Sequence, residues 1–205
     1  GGVLRLNSGP VTFTDISLSE ITAPGAGALF GFGDVQTVTF KGFKTNIPLP
    51  NLPLIETYGN LGLEHLEIDD MQVNMPGGLF QSSTSSQLSR LDVTNSQFNN
   101  LQSTWLTTII SAVINMSNVS FVDGSISTFV GLIDMSHSDP DTYASLTMHE
   151  VTVNNLIGGF CRLFEVAIHE LTVSECRFLN LTGSNIFYVA APPTDINGPL
   201  KVSFN

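Results

Sequence analysis

The acidic side chains are the first candidates for chemistry, because they outnumber Lys and Arg by 18 to 7. Glu150 and Glu175 occupy matching positions in two similar segments, and Asp69 and Asp70 form an adjacent pair. Polysaccharide cleavage needs two carboxyls at a defined separation. A stacked acid pair can also raise one pKa or hold a cation. The pattern predicts that Asp70, Glu150 and Glu175 share one corner of the fold, with Glu150 and Glu175 as neighbours about 5 Å apart. A bend tolerates acids for purely local reasons, however, and the few Lys and Arg leave no repeating base to clamp an anionic substrate. Asp70, Glu150 and Glu175 therefore stand as weak acidic-site candidates, and no catalytic residue is assigned.

The other reactive types are sparse. His65, His137, His149 and His169 do not share one position of the pattern, and no Ser-His-Asp arrangement emerges from it. The spacing of Cys161 and Cys176 fits no metal motif. A disulfide between them competes with a free buried thiol at Cys176. No metal or other cofactor is expected. Three sequons, at Asn115, Asn118 and Asn180, are glycosylation candidates if the chain passes through a secretory pathway.

The elements that carry these residues repeat. Leu146-Thr-Met-His-Glu-Val-Thr-Val153 matches Leu171-Thr-Val-Ser-Glu-Cys-Arg-Phe178 position by position, with Asn155 on Asn180 and Gly158 on Gly183. The shared pattern is apolar-x-apolar-x-turn-apolar-x-apolar. Further copies begin at Val11, Val38, Leu66, Leu91 and Ile114, and Leu200 opens an eighth. The starts are unevenly spaced, so loops of different length must join the copies at fixed corners. The period-2 rhythm and the Val, Ile, Thr and Phe content favour strands over a helical repeat. A second apolar patch follows each start, as in Ala28-Leu-Phe30, Gly78-Leu-Phe80 and Ile186-Phe-Tyr-Val189. The turn position reads Asp15, Gly42, Asp70, Asn95, Asn118, Glu150, Glu175, mostly residues suited to a bend.

Strand, corner, strand in this order predicts an all-β parallel β-helix of about seven coils, one domain over residues 1–205. Inward side chains would stack as Phe13, Phe40, Ile68, Val93, Met116, Met148 and Val173. Two-residue hairpin turns are nearly absent, which argues against a β-sandwich.

Only 12% of residues are charged, against 42% hydrophobic, so Ser, Thr, Asn and Gly must cover the surface. The net charge of −11 disfavours nucleic acid and anionic lipid as partners. No apolar run is long enough to span a bilayer as a helix. The opening Gly1-Gly2-Val3 shows no secretory leader, and the last copy stops partway, so the expectation is an excerpt or a subunit with open ends.

Phe98-Asn-Asn100 and Phe178-Leu-Asn180, with Gly77-Gly-Leu-Phe80 and Gly158-Gly-Phe160, carry a resemblance. The chain resembles the right-handed parallel β-helix proteins of the pectate-lyase-like superfamily, and within them the coils of polymorphic outer-membrane proteins and other surface adhesins. The resemblance implies a right-handed solenoid. Together with the polar, weakly charged surface it leads to the expectation of a non-enzymatic extracellular or cell-surface structural protein. This would be a fibre or adhesin-shaft segment that stacks end to end and bears glycans. The alternative is a carbohydrate-active β-helix enzyme or glycan-binding module, which would need several acids and an aromatic platform on one outer face.

Overall fold

The computed structural model describes residues 4–6, 9–18, 30–32, 37–42, 44–45, 54–57, 60–64, 67–69, 80–82, 90–102, 107–108, 113–125, 131–134, 144–163, 168–183, 186–189 and 201–204. These are strands and the bends beside them, with no helix among the described residues. In chain order the strands are β1 (Leu4–Leu6), β2 (Val11–Thr14), β3 (Ser17–Leu18), β4 (Phe30–Phe32), β5 (Thr37–Lys41), β6 (Lys44–Thr45), β7 (Ile55–Thr57), β8 (Asn60–Glu64), β9 (Glu67–Asp69) and β10 (Phe80–Ser82). They continue as β11 (Arg90–Gln102), β12 (Thr107–Thr108), β13 (Val113–Ser125), β14 (Gly131–Asp134), β15 (Ala144–Ile157), β16 (Gly159–Leu163), β17 (Ile168–Ser174), β18 (Arg177–Leu179), β19 (Phe187–Val189) and β20 (Lys201–Phe204).

The strands form two parallel sheets. One has the order β1-β4-β7-β10-β12-β14-β16-β19; the other runs β2-β5-β8-β11-β13-β15-β17-β20, with β3, β6, β9 and β18 continuing it past the bend. The chain thus alternates between the sheets, one segment in the first and one long or two short segments in the second. The expected second apolar patches supply the first sheet: Phe30 pairs with Ile55, and Ile55 with Phe80. The all-β expectation holds for the described residues, and every strand pairing among them is parallel.

Alternation of side chains explains the core. In β13 the burial alternates residue by residue up to the bend at Asn118 and resumes beyond it. Leu91, Val93, Ile114, Met116, Leu146 and Met148 are buried in register. Their outward neighbours are Asp92, Asn115 and Thr147. An aromatic contact bridges the sheets, Phe30 of the first meeting Phe40 of the second edge-on at 5.2 Å, and within the second sheet Phe13 stacks on Phe40 at 4.8 Å. Offset and edge contacts of this kind add about 0.5–1.5 kcal/mol each beyond their buried area.

Two expected alignments are corrected. Leu63, and not Ile68, stands between Phe40 and Val93 in the first ladder. Ile68 pairs with Phe98 in the segment after the bend, so the third copy starts at Leu61 and not at Leu66. Likewise Val202, and not Leu200, pairs with Leu171. Both slips keep apolar residues on apolar positions, which is why the pattern tolerated them.

Candidate functional site

The bend between the two halves of the second sheet holds three of the expected site residues, Asn118, Glu150 and Glu175. Asp15, Asn95, Asn118, Glu150 and Glu175 all have φ between 48° and 54°, and Gly42 has φ 64°. This left-handed conformation costs an ordinary L-residue roughly 1–2 kcal/mol, least for Asn, Asp and Gly. The backbone ladder runs through the bend, with the Asp15 N–H donating to Lys41 O at 2.8 Å and the Lys44 N–H to Ile16 O at 2.9 Å. A Cβ at Gly42 would lie 2.5 Å from Asp15 Oδ1, so a larger residue there would push that carboxylate aside. Asp70 lies outside the described residues. Its neighbour Asp69 pairs with Asn99 beyond the bend, so the third copy is displaced from the expected column.

A second left-handed column lies further along the same strands, at Asn100, Asp123, Asn155 and Asn180, with φ from 49° to 56°. The repeat alignment sets Asn155 on Asn180, so the signal is present in the sequence. Amides tie both columns between neighbouring copies. Asn118 Nδ2 donates to Asn95 Oδ1 at 2.9 Å, Asn155 Nδ2 to Asp123 Oδ1 at 2.9 Å, and Asn180 Nδ2 to Asn154 Oδ1 at 3.1 Å. On the outer face Asn115 Nδ2 donates to Asp92 Oδ1 at 2.8 Å, while Arg90 Nε donates to Asp92 Oδ2 at 2.6 Å. All three sequon asparagines therefore spend an amide hydrogen on a neighbouring copy. Asn118 and Asn180 are exposed and Asn115 is half-buried.

Glu150 and Glu175 are exposed and successive in the first column. His149 leans between the copies: its Nδ1 is 3.0 Å from Ser174 Oγ, and its Nε2 is 4.0 Å from Glu150 Oε2. Ser174 was not singled out from the sequence, although the repeat alignment sets it opposite His149. The three do not form a nucleophilic relay. At 4.0 Å the carboxylate is beyond hydrogen-bond reach of the ring, and the Ser174 hydroxyl also faces Met148 O at 3.4 Å. Among the described residues no three His, Cys, Asp or Glu side chains are grouped to hold a metal ion. A small crevice opens beside the second column, lined by Phe98, Leu101, Phe121, Asp123, Asn154 and Leu156. His65 and His137 lie outside the described residues, as does the side chain of His169 in β17.

Cys176 follows Glu175 at a half-buried position and is a free thiol, so the bridge to Cys161 is not formed here. Cys161 lies in β16 of the other sheet, paired with Ile133 and Phe187. The Cys176 thiol donates to Ser174 O at 3.2 Å. Burial pushes its pKa up, against a smaller opposing pull from backbone hydrogen bonds at Val151 and Ser174. Ser96, at the corresponding position after Asn95, uses the same device: its hydroxyl donates to Thr94 O at 2.7 Å, which satisfies a polar group only 5% exposed.

Comparison with protein-family models, curated proteins and solved structures returns no match. No helix among the described residues is long and apolar enough to cross a membrane.

Proposed function

We propose that the chain is a right-handed parallel β-helix serving as a non-enzymatic structural segment of an extracellular fibre or adhesin shaft. The observation that carries this reading is the unbroken stacking of like on like. Val93, Met116, Met148 and Val173 follow one another in register along the inner face, while amides join the copies outside. A chain that alternates between two parallel sheets is readily accommodated by a solenoid, and parallel crossovers are right-handed in about 98% of cases. Such ladders resist bending because each copy is bonded to the next through both backbone and side chains.

End-to-end association belongs to the same proposal. Val11 and Phe13 on β2 are half-buried, whereas their partners Val38 and Phe40 are fully buried. An apolar ladder and a strand edge together form a template for another parallel strand. Sedimentation of the purified chain over a wide range of concentration tests this. Linear growth is expected; a monomer throughout the range would refute the stacking. Release of reducing or unsaturated sugar ends from a polysaccharide, abolished by Glu150→Gln, would replace the structural reading with a carbohydrate-active one.

A further inference from the structure

We infer that the three sequons are not equivalent: Asn118 and Asn180 are sites for an N-linked glycan, and Asn115 is closed to one. The inference rests on the secreted shaft reading for its biological setting, but the difference between the sites is a property of the chain. Asn118 and Asn180 are exposed, each at a left-handed bend with φ 54° and 52°. A bend turns its side chain out past the flat faces on either side, so a sugar attached there projects away from the strands. Each amide makes one hydrogen bond to a neighbour at the surface, Asn118 to Asn95 and Asn180 to Asn154. Glycosylation replaces one of the two amide hydrogens and leaves the other to donate.

Asn115 makes the same single amide bond but differs in exposure and in backbone, since it is not at a left-handed bend. It lies within β13, flanked in register by Asp92 on β11 and Thr147 on β15. It is half-buried, and its amide donates at 2.8 Å to Asp92, whose other oxygen receives Arg90 at 2.6 Å. Neighbouring strands are only about 4.8 Å apart, narrower than a sugar ring with its hydroxyls. A glycan on Asn115 would therefore have to cover Asp92 or Thr147. The two acceptor sites lie in different columns, so their glycans would line two separate edges and leave the face between them bare.

The full chain, sent through the secretory pathway of a eukaryotic host, tests this with single-sequon variants. Ser120→Ala with Thr182→Ala leaves only Asn115. Ser117→Ala with Thr182→Ala leaves only Asn118, and Ser117→Ala with Ser120→Ala leaves only Asn180. Occupancy is read by glycosidase release in heavy-oxygen water and peptide mass spectrometry, on secreted and retained chain alike. Melting of the unglycosylated variants made in bacteria confirms that each folds. The expected result is glycan on most chains carrying Asn118 or Asn180 alone, with occupancy at least about tenfold lower for Asn115 alone. Equal occupancy at Asn115, or an empty Asn118 or Asn180, would overturn the assignment. Because the host supplies the enzymes, this result is independent of the concentration-dependent sedimentation that tests the shaft.

Discussion

In the column of Asn100, Asp123, Asn155 and Asn180 the bend is made by Asn or Asp at every described position. The column that starts at Asp15 passes instead through Gly42, Asn95 and Asn118 to Glu150 and Glu175. The backbone angles are nearly the same in both. In the first case the side chain relieves the strain and bonds to the neighbouring copy, as Asn155 does to Asp123. At Glu150 and Glu175 the side chain has neither advantage: Glu is poorer than Asn in the left-handed region, and two like charges follow one another. The bend is thus imposed by the fold, and the side chain decides only how costly it is. Acid residues at such a position are explained by tolerance before they are explained by catalysis.

The sharpest way to break a bend is to fill the space that only glycine leaves. Gly183 has φ 132°, and a Cβ there would lie 2.9 Å from Gly158 N. Gly183→Ala is expected to destabilise by about 2–3 kcal/mol, strain and backbone contact combined, seen as a lower urea midpoint. Asn118→Ala removes both the tolerance for a left-handed backbone and the bond to Asn95. Its expected cost is about 1–2 kcal/mol by the same measurement. If it cost no more than an exposed strand substitution such as Thr12→Ala, the amide columns would carry no weight.

The reverse exchange sharpens the contrast. Glu150→Asn is expected to stabilise by about 0.5–1 kcal/mol, because it relieves strain and separates like charges; a melting temperature lowered by this change would mean that Glu150 makes a contact worth more than the strain. For Cys176 the sign follows from its raised pKa. The folded state favours the neutral thiol, so its contribution is intact below the unfolded thiol's pKa and is lost as pH rises through the folded value. Alkylation at mildly alkaline pH should be slower in the folded chain than in urea. Least affected is Arg90→Ala, since the pair with Asp92 is exposed on both sides; a change under about 1 kcal/mol is expected, shrinking further with added salt.

Much of this organisation is legible in the residues. The period-2 alternation marks Leu91, Val93, Ile114 and Met116 as inward, and the break in it marks Asn95 and Asn118 as bends. The left-handed angle at Glu150 and Glu175 is likewise foreshadowed by their alignment with asparagines. Register is less legible, because the repeated pattern nearly matches itself when one apolar pair is slid on to the next. Leu61 and Leu63 followed by Leu66 and Ile68 fit it as well as Leu66 and Ile68 followed by Met71 and Val73. Which of the two is used depends on pairing with Leu91 and Val93, a contact between segments far apart along the chain. The same holds for Leu200 against Val202, where a shift of two preserves every inward and outward assignment. The meeting of His149 with Ser174 needed only the repeat alignment, but its distance from Glu150 needed coordinates.

The amide corners also govern how the molecule ages. Hydrolysis of the Asn118 side chain to a carboxylate would delete the donor that reaches Asn95 Oδ1 and leave two acceptors facing each other. It would also set a new negative charge beside Glu150, in a chain already at −11. One slow chemical event would thereby turn a clasp between neighbouring copies into a point of repulsion. The backbone offers some protection, because cyclisation on to the following nitrogen requires movement that the paired Val119 in β13 resists. The durability of the fold then depends on the chemical lifetime of its asparagines as well as on the strength of its core.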